Sequence, residues 1–298
     1  MIGEDVYSVD PWTIPEPKLQ LDLLAQSESI FALSNGHIGL RGNLDEGEPS
    51  GRSGTYLNGF YESRPLPYAE AGYGDPESGE TMINVTNGKI LRLLVDDAPL
   101  DLRYGTVEHH ERTLDLRDGV LRREVRWLSP AGQGVILRTT RLVSFVQRAV
   151  AAFHYEVEPY AGAARIVVQS ERGANEPVAA NDDDDDPRAA AALRNQLVSE
   201  AHGHNGLRAS LVHVTRASRL RISAGMDHVI DGPEGTVTWA EADPDLATVA
   251  ALARLQREAH RLTATLRFCG GSPALRDVIA LVGLAEVVPV QLCAQPRG

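Results

Sequence analysis

The feature that most constrains this chain is a train of short segments in which apolar side chains alternate with polar or charged ones. Ile90, Arg92 and Leu94 alternate with Leu91, Leu93 and Val95, and Val120 to Trp127 alternates through Arg122, Arg123, Glu124, Val125 and Arg126. Val135 to Phe145 is rich in β-branched residues, and 149–157, 165–169, 206–215, 219–224 and 235–239 continue the series. A period of two places successive side chains on opposite faces, as in a half-buried strand. Turn signals separate the segments: Arg117-Asp118-Gly119, Pro130-Ala131-Gly132 and Asp231-Gly232-Pro233. Many strands at roughly 8–14-residue spacing predict an all-β sandwich or barrel. Strand–helix alternation is missing, which argues against a doubly wound α/β fold.

The rest of the chain reads differently. In the first 80 residues, glycines from Gly36 to Gly79 punctuate short apolar pieces, which predicts hairpins and crossings rather than helices. Asn181 to Pro187 contains five consecutive aspartates, a charge run that predicts a solvated loop tip. It lacks the spaced acids, central glycine and distal glutamate of an EF-hand loop. Arg188 to Leu197 is compatible with a short helix. Toward the end, Asp243-Pro244 resembles a helix start, and Leu246, Val249, Leu252, Leu255, Ala259, Leu262 and Leu266 recur at helical spacing.

With 298 residues, the length prior is about two domains, although one large all-β domain also fits. Hydrophobic residues at 43% suffice for a core of that size. The net charge of −12 disfavours nucleic acid and anionic membrane surfaces as partners. The opening residues carry early acids and no apolar signal core, and the stretch from Val278 to Val290 is too short and interrupted to span a bilayer. A cytoplasmic protein is expected. Cys269 and Cys293 have no CxxC spacing, so neither a disulfide framework nor a cysteine zinc site is expected.

Motifs that could carry chemistry are few. Gly51-Arg52-Ser53-Gly54 lacks the spacing of a nucleophile elbow, Gly88-Lys89 is not a P-loop, and Gly72-Tyr73-Gly74 is followed by Pro76 rather than a helix. His109-His110-Glu111 and His202-x-His204 are the histidine pairs; two ligands do not make a metal site, and surface positions are expected for them. Asp45, Glu46 and Glu48 have the right chemistry for glycoside hydrolysis, but a Gly/Pro-rich loop predicts solvated turn residues. Trp12, Trp127 and Trp239 are candidates for sugar stacking; the strand patterns around Trp127 and Trp239 favour core packing. No cofactor or metal is predicted.

The segment from Glu28 to Gly42 resembles the opening of the family 65 glycoside hydrolases and phosphorylases, which include maltose, trehalose and kojibiose phosphorylases. Further stretches resemble the same family in order: Gly54 to Tyr61, Arg112 to Leu121, Arg141 to Ser144, and Gln169-Ser170 followed by Asn175-Glu176. The resemblance covers roughly residues 8 to 245.

This resemblance implies that residues 1–245 form an N-terminal antiparallel β super-sandwich like that of galactose mutarotase. It places catalysis in an (α/α)6 barrel that follows such a domain, so no catalytic residue is carried over to this chain. Phe31, Asn35, Gly36, Arg41 and Gly42 are read as a turn-and-strand unit serving structure and domain contact. Gly36 and Gly42 would supply unusual backbone angles, and Arg41 a planar fork for a carboxylate or carbonyl. Residues 246–298 depart from the family pattern, which leaves two readings open: a truncated or frame-shifted frame, or a divergent ending. The function implied is an accessory domain, inactive alone, that braces a barrel acting on an α-glucosyl disaccharide and helps form a homodimer. The alternative is a stand-alone carbohydrate-binding or mutarotase-like protein, for which His154 and Glu156 offer one acid–base pair.

Overall fold

The computed structural model describes residues 10–65, 78–96, 98–175 and 195–232, with short backbone stretches at 268–269 and 290–291. The aspartate run, Trp239, the 235–239 segment and the stripe at 246–266 lie outside the described residues. In chain order the elements are β1 (Thr13–Glu16), a 3-10 turn (Leu21–Leu23), α1 (Leu24–Ile30), β2 (Leu33–Ser34), β3 (Ile38–Leu40), β4 (Thr55–Leu57), β5 (Tyr61–Pro65), β6 (Ser78–Met82), β7 (Asn87–Val95) and β8 (Ala98–Pro99). There follow β9 (Thr106–Asp115), β10 (Val120–Leu128), β11 (Gly134–Val143), β12 (Ala151–Ala161), β13 (Ile166–Gly173), β14 (Leu197–Asn205), β15 (Arg208–Thr215), β16 (Arg221–Asp227), β17 (Phe268–Cys269) and β18 (Val290–Gln291).

The fold is all-β, as the alternation predicts. Its largest sheet has the order β1-β9-β10-β11-β12, with antiparallel pairing throughout. Three-stranded sheets β13-β7-β8, β14-β15-β16 and β2-β3-β4 and the ribbon β5-β6 accompany it. The chain divides into two compact units, Met1–Gly203 with Ala209–Met226, and His204–Arg208 with Asp227–Gly298. In the second unit, β17 and β18 pair in parallel. No helix among the described residues is long and apolar enough to cross a membrane.

Alternation decides which side of the large sheet faces inward. On β10 the inward positions are Leu121, Arg123, Val125 and Trp127; on β11 they are Val135, Leu137, Thr139, Arg141 and Val143. At one end of this face, Val125, Trp127, Val135 and Leu137 pack against Leu93 and Val95 of β7, which makes a sheet-on-sheet core. The Trp127 indole is fully buried and donates to the Tyr104 carbonyl at 2.8 Å, as its strand pattern predicts. At the other end, Leu114, Leu121 and Val143 pack with Phe31, Leu33 and Leu40.

Two local expectations are corrected. The first 80 residues do contain a helix, α1, because its seven residues carry no glycine and include the good helix formers Leu, Ala, Gln and Glu. The helix expected over 188–197 does not reach its end: Leu197 is buried and opens β14, while 188–194 lie outside the described residues.

Candidate functional site

Between the two apolar clusters of the large sheet lies a charged layer. Arg112 of β9 stands opposite Arg123 of β10, which stands opposite Thr139 of β11; one step along, Leu114, Leu121 and Arg141 form the next row. Adjacent arginines on one buried face repel each other unless acids neutralise them. The segment 41–48 supplies two of those acids as it crosses this face, and β1 supplies the third.

Arg112 donates Nε and Nη2 to the two carboxylate oxygens of Glu16, and Nη1 to the Gly42 carbonyl at 2.8 Å. Ser27 of α1 adds a hydroxyl donor to Glu16 at 2.6 Å. Arg123 makes a two-pronged pair with Glu46 at 2.8 and 3.0 Å. Arg141 donates to Asp45 Oδ1 at 2.6 Å and to the Asn43 carbonyl at 3.1 Å, while Thr139 donates to Asp45 Oδ2 at 2.8 Å. Asp45, Glu46, Glu16 and all three arginines are buried. Glu28 of α1, also buried, accepts from the backbone N–H groups of Gly51 and Arg52 at 2.9 and 2.7 Å. The loop between β3 and β4 is thus fixed from the helix on one side and the sheet on the other.

The electrostatics follow from this pairing. Burial pushes the Asp45 pKa up, but Arg141 and Arg123 outweigh it and hold the carboxyl below its ordinary range. The expectation of solvated turn carboxylates is therefore corrected for Asp45 and Glu46, which are only 4% and 2% exposed. The loop composition hid this because the partners lie about 80–100 positions away on β10 and β11. Glu48 does stay partly exposed, paired with Arg103 at 2.8 Å. His110 is a second correction: it is buried, accepts from Arg123 Nε at 3.3 Å through Nε2, and is held neutral by burial and then by Arg123, with a pKa near 2. Its neighbour His109 is exposed, as expected for the pair.

The five residues singled out around the Asn-Gly turn come together beside this layer. Phe31 is fully buried, with the Arg112 guanidinium 4.5 Å from its ring centre. Asn35 Oδ1 accepts from the N–H groups of His37 and Ile38, both at 2.9 Å, closing its own turn. Its Nδ2 donates to the carbonyls of Ser144 and Arg148 at 2.6 and 2.9 Å, which ties that turn to the β11–β12 connection. Gly36 has φ +79°, the left-handed region expected for it. Gly42 differs from expectation: no positive φ requires it, and the constraint is a close approach, since a Cβ there would lie 2.6 Å from Phe31 Cβ and 2.7 Å from the Phe31 carbonyl oxygen. The Arg41 fork reaches the Ala25 carbonyl and Ser29 Oγ, each at 2.9 Å.

The remaining candidates stay dispersed. His154 and Glu156 lie on the exposed face of β12, and Glu156 is paired with Arg138 at 3.0 Å. His202 and His204 are exposed on β14, and among the described residues no group of three or more His, Cys, Asp or Glu could hold a metal ion. Trp12 is half-exposed, with Arg117 5.0 Å from its ring centre. The arginine–acid layer was missed by the sequence reading. Its signal was present as a charged residue at an inward parity in two otherwise apolar strand faces, Arg123 between Leu121 and Val125, and Arg141 before Val143.

A site of this kind positions a loop, because Glu16, Asp45 and Glu46 are each engaged by a buried arginine. A model of the glycosyl hydrolase family 65 N-terminal domain matches residues 14–265. The chain belongs to this family. It is 52% identical over 285 residues to an uncharacterized glycosyl hydrolase of Mycobacterium tuberculosis, a match covering 94% of this chain and 36% of that protein. It is 33% identical over 231 residues to the α,α-trehalose phosphorylase of Thermoanaerobacter brockii, covering 76% of this chain and 30% of the relative. The chain thus spans about a third of the length of the curated relatives it matches. A solved structure from the human microbiome, assigned as a kojibiose phosphorylase, shares the fold with a TM-score of 0.66 at 22% identity, over 78% of this chain and 29% of that one. The family 65 domain match includes the whole arginine–acid layer, from Glu16 to Arg141.

Proposed function

We propose that this chain is the accessory N-terminal domain of a family 65 glycosidase or phosphorylase acting on an α-glucosyl disaccharide, with no turnover of its own. The observation that carries this reading is the state of the buried carboxylates. Cleaving a glycosidic bond needs a proton donor at the leaving oxygen, and a carboxyl that does this near neutrality has a raised pKa. Asp45 is shifted the other way, by its arginines. Glu16 and Glu46 are each engaged by an arginine in a two-pronged pair, away from solvent. The disaccharide class is supported by the names of the trehalose and kojibiose phosphorylases to which the chain is similar. In this reading the Asn35–Gly42 unit and the clamped loop after it present a rigid surface that braces the catalytic part. A homodimer, a cytoplasmic location and the absence of a cofactor belong to the same proposal.

The test is to incubate the purified chain with trehalose, maltose and kojibiose, with and without phosphate, and to measure released glucose and glucose 1-phosphate. No release above a buffer blank is expected. Turnover that survives repurification and falls when an acid of this chain is substituted would make the sandwich itself the enzyme.

A further inference from the structure

The charged layer encloses a small cavity lined by Asn43, Leu44, Asp45, Arg112, Leu121, Arg123, Thr139 and Arg141, of about 10 Å³. That volume is close to the minimum that one water requires and leaves no room for a second molecule. Two of its lining residues carry buried polar atoms with no protein partner, Asn43 Oδ1 and Arg141 Nε. Both residues are more than nine-tenths buried, at 7% and 3% exposure. Leaving such atoms unbonded is costly inside a protein, so native structures satisfy them with protein groups or ordered water.

The orientation of the Asn43 amide follows from its other contacts. Its Nδ2 donates to the Arg52 carbonyl at 2.7 Å, a partner that can only accept, so the oxygen is the atom left over. The Arg141 guanidinium is similarly committed: Nη2 is used on Asp45 and the Asn43 carbonyl, and Nη1 on the Arg41 carbonyl at 3.3 Å, so Nε is its one nitrogen with no partner. The two unbonded atoms are therefore one acceptor and one donor.

We infer that this cavity holds one internal water, which accepts from Arg141 Nε–H and donates to Asn43 Oδ1. The need for a group that both accepts and donates decides between occupants. A cation would face the Arg141 Nε–H donor and three guanidinium groups. An anion could not donate to Asn43 Oδ1, and it would meet the Asp45 carboxylate in a layer whose three arginines are already matched by Glu16, Asp45 and Glu46. The water's second hydrogen has two acceptors within the same lining, the Asp45 carboxylate and the Thr139 hydroxyl oxygen. The water thereby completes the bonding of the Asn43 side chain, which holds the 41–52 loop closed through Arg52.

A crystal structure of the chain at about 1.5 Å or better, grown once in chloride and once in bromide, tests this. The expected result is one well-ordered peak within about 3.2 Å of both Asn43 Oδ1 and Arg141 Nε, with no anomalous signal in the bromide crystal. An empty cavity, an anomalous bromide peak, or a shift of side chains that brings Asn43 Oδ1 directly onto Arg141 Nε would each overturn the inference.

Discussion

Asp45 shows most directly what a single residue contributes here. It joins Arg141, Arg123 and Thr139 to a loop that composition alone would leave in solvent. Replacing it with asparagine keeps the shape but leaves Arg141 buried without its counter-charge. Removing one partner of a buried pair costs about 3–5 kcal/mol, whereas removing both into apolar groups is far cheaper. Asp45→Asn is therefore expected to lower the urea unfolding midpoint strongly, and Asp45→Leu combined with Arg141→Met to cost less than the two single changes added together; simple additivity in those midpoints would contradict the pairing. Glycine offers a sharper contrast. Gly36→Ala meets nothing within 4 Å, so its cost is the left-handed backbone alone, about 1–2 kcal/mol. Gly42→Ala drives a methyl into the backbone of Phe31, which cannot move without α1. Thermal melts should place Gly42→Ala well below Gly36→Ala.

At the scale of elements, the strand β9 carries a pH dependence. The unfolded chain protonates a histidine near pH 6.5, while the folded state holds His110 neutral down to about 2. Between those values the unfolded state binds a proton that the folded state refuses, so stability falls as pH drops below about 6.5, by at most ~1.4 kcal/mol per pH unit. Asp45 acts in the same direction at lower pH: its folded pKa is depressed, so its contribution is present above about 3.9 and is lost as pH falls through the folded value. Urea midpoints measured at pH 5, 6 and 7 should fall with acidification, and His110→Gln should make that fall shallower; an unchanged slope in the variant would contradict the assignment. The strands were legible where alternation was strict, as in β10 and β11. β9 was not, because its sequence Thr-Val-Glu-His-His-Glu-Arg-Thr-Leu-Asp places His110 and Arg112 where an apolar residue would signal the inward face. The acid loop was illegible for a related reason: whether a carboxylate is solvated depends on what lies opposite, and for Asp45 and Glu46 that is set by strands about 80–100 residues away. Gly42 carried no readable signal beyond its identity, since its requirement arises from where Phe31 packs.

At the scale of the molecule, the charged layer joins pieces that share little sequence proximity. β1 enters through Glu16, α1 through Ser27 and Glu28, the 41–52 loop through Asp45 and Glu46, and the large sheet through its three arginines. The apolar clusters on either side would not by themselves fix the loop, because Leu44 is its only residue in them. On the proposed reading, these acids hold the domain together as ion-paired anchors. Global unfolding of the Asp45→Asn chain, followed in parallel by far-UV circular dichroism and by native-state hydrogen exchange, reads that anchoring role. A lower midpoint is expected, with protection lost together in α1, the 41–52 loop and β9–β11. An unchanged midpoint, with exchange accelerated only within 41–52, would contradict it.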